Sequence, residues 1–223
     1  MPSDREGPEM TENRPATPRD AWKHLVAGNG RFISGTLAHP RQDVDRRDAL
    51  ADGQRPFAAL FGCADSRLSA EIIFDLGLGD VFVVRNAGQT ISQSVIGSLE
   101  YAVSALGVSL ILVLAHDNCG AVRAAIESRL PDATPLPVNI RSITDAIQPA
   151  IDRVLLANGT NDVDQIAVDD VGKEHLRETI AELLSHSELA GDAVANGSLG
   201  IVGATYNLRE GHVIPSIVFG DID

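Results

Sequence analysis

Short apolar runs alternate with stretches of helical periodicity along most of this chain, and the alternation predicts a fold class. Residues 57–61, 80–84 and 108–115 are nearly continuous apolar runs of strand length, and the third is the most β-like. Between them, residues 69–76 read as a helix closed by Gly77, and residues 94–106 as a helix closed by Gly107. Strands that are apolar on both faces and alternate with helices indicate a mostly parallel central sheet flanked by helices, an α/β fold. Earlier in the chain, Thr17-Pro18 reads as an N-cap followed by proline at the first helical position. Trp22, Leu25, Val26, Asn29 and Phe32 continue at helical spacing, so an amphipathic N-terminal helix is expected, packed on the core or on a second subunit. Residues 139–157 and 172–189 read as further helices, with Asn158-Gly159 as a stop. Residues 199–207 and 212–219 read as a closing strand pair around a turn at 209–211.

Charge and composition narrow the function classes. The chain has 223 residues, 44% hydrophobic and 22% charged, enough to bury a core as one domain over 18–223 behind a disordered tail over 1–17. Lys and Arg number 18 against 31 Asp and Glu, giving a net charge of −13, which disfavours nucleic acid as a partner. The strongest basic cluster, Arg41, Arg46 and Arg47, is interrupted by Asp43 and Asp45 and reads as a solvated helix face. The first residues are polar and acidic, with no signal-peptide pattern. The longest apolar run, 110–115, is far too short to span a bilayer. A cytoplasmic protein without a membrane partner is expected, and two cysteines there are not a disulfide framework.

Those cysteines carry the candidate chemistry. Ligands of parallel sheets bind outside the carboxyl ends of the strands. Cys63 lies just past the first predicted strand, and His116 and Cys119 just past the third, so all three fall on one edge. Taken singly, an H-x-x-C or a C-x-D-x-R stretch is more often a buried thiol or a surface turn. Together they form the two-Cys, one-His set that catalytic zinc uses, with a fourth position left for water or a carboxylate. A structural zinc site closes with four Cys/His ligands; no third cysteine exists, and His24, His39, His175, His186 and His212 sit in no ligand-like pair.

The pairing of Cys63-Ala-Asp-Ser-Arg67 with His116-Asp-Asn-Cys-Gly120 resembles the paired signature of beta-class carbonic anhydrases. Residues 70–80, 83–87 and 98–103 are similar to the family as well, and the likeness is close over about residues 17–128. It implies one Zn²⁺ per chain on Cys63, His116 and Cys119, with carbon dioxide and bicarbonate as substrates. It also implies an N-terminal helical arm embracing a second subunit in a homodimer or homotetramer. Zinc lowers the pKa of bound water from about 15.7 toward 7, supplying a hydroxide that attacks carbon dioxide. Two thiolates already neutralise the dication, so activity is expected to rise into alkaline pH; a rate flat from mildly acidic to alkaline pH would contradict this. By resemblance Asp65 and Arg67 are the pair that gates the metal: Asp65 bonds the hydroxide or becomes a fourth ligand, and Arg67 clamps it off the zinc. The plain alternative is a surface pair. Gln54 stands where the family has a bicarbonate-binding glutamine, and reads equally as a turn residue. Phe82 and Ala87 match positions lining the carbon dioxide pocket, or ordinary core. Gly120 is expected to let the backbone pass close to the metal.

Some family members hold an inhibitory bicarbonate with a Trp–Arg–Tyr trio. Arg85 and Tyr206 match two of its positions, but Leu60 replaces the tryptophan. No cooperative bicarbonate inhibition is therefore expected, and a steep, sigmoidal loss of activity with bicarbonate would contradict this. Two rivals remain: a hydrolase of another linear molecule such as carbon disulfide on the same scaffold, and a non-catalytic zinc protein. The second would be expected to have lost a ligand or the Asp–Arg pair, and all five residues are present. Gly77-x-Gly79 and Gly28-x-Gly30 complete no phosphate loop between a strand and a helix, which sets a nucleotide-binding role aside.

Overall fold

The computed structural model describes residues 14–222, so most of the tail expected over 1–17 lies outside the described residues. Five strands form one sheet: β1 (Ala58–Cys63), β2 (Val81–Asn86), β3 (Leu110–His116), β4 (Gly200–Tyr206) and β5 (Val213–Phe219). Their spatial order is β2-β1-β3-β4-β5; the first four are parallel and β5 is antiparallel to β4. Every residue of β1 and β3 is buried, which is why these strands read as unbroken apolar runs. β5 carries Pro215 where its register with β4 shifts, a placement open to proline on an edge strand.

Side chains alternate across the sheet into two cores. Leu60, Leu112, Leu114 and Val202 face one, and Phe61, Ile111, Val113 and Ile201 the other. The first core is covered by α1 (Pro18–Ser34), α3 (Ala70–Ile73), α5 (Gly120–Glu127) and α7 (Gln148–Asn158). The second is covered by α4 (Gln93–Ser104), α8 (Val168–His186) and α9 (Glu188–Ala195).

The N-terminal helix begins as its sequence indicates, with Thr17 accepting a hydrogen bond from the Asp20 N–H at 3.1 Å. The helix that the resemblance makes an arm is docked along one face on its own chain, burying Ala21 and Leu25. Buried Asn29 secures it: its amide donates to the carbonyls of Ile73 and Gly211, and its oxygen accepts from the Val213 N–H. Val26 and Ile33 on the same helix are exposed.

Several sequence expectations are corrected. The single helix read over 139–157 is two, α6 (Val138–Asp145) and α7, because Pro149 lacks the N–H that would continue the ladder but suits the first turn of a new helix. The helix read over 172–189 begins earlier, as α8, and Ser187 caps the separate α9. The helix read over 69–76 is the single turn α3; Asp75 then takes a left-handed φ of 47° and commits its carboxylate to the N–H groups of Ala38 and His39. The basic cluster is not one solvated face either. Arg46 and Arg47 lie on a short helix, α2 (Val44–Ala49), that buries none of its residues. Arg41 grips Asp80 through two hydrogen bonds of 3.0 and 2.5 Å, and Arg46 donates to the Leu78 carbonyl at 3.0 Å.

Candidate metal centre

β1 and β3 are parallel neighbours in the sheet, so Cys63 and His116, the last residues of those strands, end on the same edge of it. Beyond His116 the chain turns sharply, with Asn118 at a φ of 50°, and Cys119 immediately precedes α5. The turn is pinned on both sides. The Asp117 carboxylate accepts from the Leu208 N–H at 2.9 Å, and the Asn118 N–H donates to Asp169 of α8 at 2.9 Å.

These constraints converge the ligand atoms of Cys63, His116 and Cys119 to within 4.8 Å of one another, and all three residues are buried. Tetrahedral zinc with Zn–S bonds of about 2.3 Å needs sulfurs about 3.8 Å apart, inside that bound. His116 gives the clearest test of fit. Its Nδ1–H donates to the Asp117 carbonyl at 2.8 Å, so in the neutral ring Nε2 is the nitrogen that carries the lone pair. That Nε2 is buried and, among the described residues, has no hydrogen-bond partner. A buried lone pair facing two free thiols is costly unless something electrophilic accepts it. The donor set is one that zinc accepts.

Electrostatics at the centre follow from the same crowding. The two thiols compete: a hydrogen bond from Cys119 pulls Cys63 down strongly against the opposing effect of burial, and the Gly88 N–H adds to it. The same contact and burial push the Cys119 thiol up. Burial opposes a charge on His116, but the Cys63 sulfur and Asp65 carboxylate outweigh it and raise its pKa.

Asp65 stands at the rim, its Oδ2 3.9 Å from His116 Nε2. Arg67 holds it with two parallel bonds, Nε to Oδ1 at 2.8 Å and Nη2 to Oδ2 at 2.7 Å, and the Arg67 N–H adds a third at 3.0 Å. This clamp keeps the Asp65 carboxyl well below the usual carboxylate range. Arg85 holds the loop from below, donating to the carbonyls of Cys63 at 2.9 Å and Asp65 at 2.6 Å. Leu60 and Tyr206, the other positions of the trio, are both buried.

The remaining sequence candidates are placed unevenly. Ala87 follows directly on Asn86, which pairs with Cys63, and is exposed beside the centre. Phe82 pairs with Ala59, four residues before Cys63, which is about 13 Å along the strand; there it packs against Tyr101 with ring centroids 6.1 Å apart. Gln54 is exposed and precedes the amino end of β1, at the sheet edge opposite Cys63. A Cβ at Gly120 would meet nothing within 4 Å, so packing within this chain does not require glycine there. Sequence reasoning missed the Arg85 clamp, the Gly88 N–H that donates to the Cys63 sulfur at 3.4 Å, and the Asp169 contact. Only Arg85, singled out by the trio, had a signal in the sequence.

The comparisons with known proteins agree with this geometry. The family model for carbonic anhydrase matches residues 58–213. The chain is similar to carbonic anhydrase 2 of Mycobacterium tuberculosis, 47% identical over 205 residues that cover 92% of this chain and 96% of that protein. It is 44% identical to a carbonic anhydrase of Mycolicibacterium smegmatis over 207 residues, 93% of this chain and 97% of the relative. Among solved structures, a Coccomyxa beta-carbonic anhydrase in complex with acetazolamide matches with a TM-score of 0.64 and 26% identity, covering 88% of this chain and 82% of that one. The chain belongs to the beta carbonic anhydrase family. It is an enzyme, a carbonic anhydrase.

Proposed function

We propose that this chain catalyses the reversible hydration of carbon dioxide to bicarbonate and a proton, with one zinc ion on Cys63, His116 and Cys119 lowering the pKa of a water toward neutrality. The observation that carries the reading is the buried Nε2 of His116, without a hydrogen-bond partner among the described residues, beside two free buried thiols. As thiolates, Cys63 and Cys119 would supply two negative charges to balance the dication, and the Asp117 carbonyl holds the imidazole through Nδ1 with Nε2 left to bind. Asp65, kept ionised by Arg67, can only accept hydrogen bonds. It would therefore orient the O–H of a water or hydroxide held at the centre. Arg67 also keeps both Asp65 oxygens engaged and so restrains the carboxylate from joining the ligand set. Exposed Ala87 leaves the rim apolar beside Cys63, which suits a substrate without charge.

Replacing Asp65 by Asn keeps the shape but turns part of the acceptor into a donor. Hydration is expected to fall about 10²-fold with zinc content unchanged; an Asp65→Asn enzyme at full rate would remove this role. The reading as a whole is tested by stopped-flow hydration across pH beside an assay of carbon disulfide turnover. Fast hydration rising toward alkaline pH supports it. Turnover of carbon disulfide alone would move the assignment to the hydrolase.

Ile214, Val218 and Phe219 on the edge strand β5, with Val26 and Ile33 on α1, leave apolar surface uncovered in a single chain. A homodimer or homotetramer would cover it, and light scattering in solution decides between these and a monomer. Gln54 could reach bicarbonate only at the centre of a second subunit in such an assembly. Two buried free thiols suit the reducing cytoplasm, where we place the enzyme. Cell fractionation tests that placement.

A further inference from the structure

His175 is buried on α8, 87 residues from the turn that follows β2, and its Nε2 lies 2.7 Å from the Gly88 carbonyl oxygen. A carbonyl can only accept, so the ring carries its proton on Nε2, and burial pushes its pKa down and keeps it neutral. Gly88 is in turn a wedge between the two halves of the metal centre. Its N–H donates to the Cys63 sulfur at 3.4 Å. On its other side, a Cβ added at Gly88 would lie 2.9 Å from the Cβ of Ala121, two residues after Cys119. Gly88 also holds a left-handed φ of 73°, so its backbone must be tied to keep the N–H aimed at sulfur.

We infer that His175 is a positioning residue for the metal centre, fixing Gly88 so that its N–H stays directed at the Cys63 thiolate. The His175 bond anchors the flanking peptide of Gly88; without it the left-handed turn relaxes and the N–H···S bond lengthens. A thiolate that loses a directed N–H is less well oriented for zinc and carries its charge less stably. The same helix also holds the other half of the centre, since Asp169 accepts from the Asn118 N–H in the turn between His116 and Cys119. α8 is thus the strut that sets the spacing of the two thiolates. This assignment rests on the proposed metal function and extends it to a residue that touches neither metal nor substrate.

The test measures zinc affinity by competition with a chromophoric chelator, and the thiolate-to-cobalt charge-transfer absorption of cobalt-substituted protein. Four proteins are compared: wild type, His175→Leu, His175→Gln and Leu183→Ala, the last a buried α8 position two turns away from the Gly88 contact. Expected is a zinc affinity about 10–100-fold weaker in His175→Leu with a shifted charge-transfer band. His175→Gln, whose amide N–H can reach the same carbonyl, restores both, and Leu183→Ala loses thermal stability without losing affinity. If His175→Leu does not accumulate folded, His175→Asn, whose amide stops short of Gly88, replaces it. Wild-type affinity and an unshifted band in His175→Leu overturn the inference. So does equal weakening in Leu183→Ala without rescue by Gln, which would make His175 a packing residue only. A wild type that takes up no zinc at all would instead overturn the metal function, and the inference with it.

Discussion

Cys119→Ala is expected to leave a folded protein that retains almost no zinc after dialysis and hydrates carbon dioxide at least about 10²-fold more slowly. Structural zinc sites with four ligands bind with about 10–16 kcal/mol, so each ligand carries about 3 kcal/mol or more, a factor of 10² to 10³ in affinity. The loss should be steep because nothing nearby can take the place of the thiolate. Among the described residues, Cys63, His116 and Cys119 are the one buried cluster of its kind, and Asp65 is committed to Arg67. Fold and metal can be read separately: circular dichroism should be nearly unchanged, since Ala at this position removes one sulfur from a core that stays closed. Zinc retained at one per chain in Cys119→Ala, with normal hydration, would mean that the thiolate is not a ligand.

The second large effect concerns stability and lies away from the centre. Asp75 is buried, yet it is charged, and three donors hold it: the N–H groups of Ala38 and His39, each at 2.9 Å, and Arg31 Nε at 2.5 Å. Burial alone would raise its pKa; the two N–H groups and Arg31 outweigh burial and hold it below the ordinary aspartate value. A group whose folded pKa is depressed stabilises the fold above its unfolded pKa, near 3.9, and loses that contribution as pH falls through the folded value. Asp75→Asn keeps a side chain that tolerates the left-handed backbone but removes the charge, leaving Arg31 unpaired and one N–H facing an amide donor. The expected destabilisation near neutral pH is about 3 kcal/mol, a fall in Tm of roughly 6–12 °C. The deficit relative to wild type should shrink as both proteins are acidified below the ordinary aspartate range. Denaturant melts at neutral pH and near pH 3 check this; a deficit independent of pH would mean that packing, not charge, is what Asp75 contributes.

How much of this was legible in the sequence depends on what each feature needs. β1 and β3 were legible because a strand covered on both faces must be apolar throughout. α2 was legible only as a solvated face carrying Arg46 and Arg47, without bounds, since a helix that buries none of its residues leaves no periodic stripe. The break between α6 and α7 was marked by Pro149, but proline serves equally as a kink and as a first-turn residue, and only the packing decides. Cys63, His116 and Cys119 stood out because few other roles need those residue types at strand ends. The support beneath them did not stand out. The Gly88 N–H that meets the Cys63 sulfur belongs to the backbone, which every residue shares, and it pairs with a residue 25 positions away. His175 has no ligand partner in its own segment, and its contact with Gly88 depends on where α8 lands on the sheet. Asp65 and Arg67 lie between these cases: their spacing allows a pair, and their distance from His116 is what ties that pair to the centre.

The most direct measurement of the central claim is stopped-flow carbon dioxide hydration during a zinc titration of chelator-stripped wild-type protein. The account predicts no hydration above buffer in the stripped protein, and a rate that rises linearly and levels off at one zinc per chain. Hydration that survives stripping, or a chain loaded with one zinc that hydrates no carbon dioxide at any pH, would contradict it.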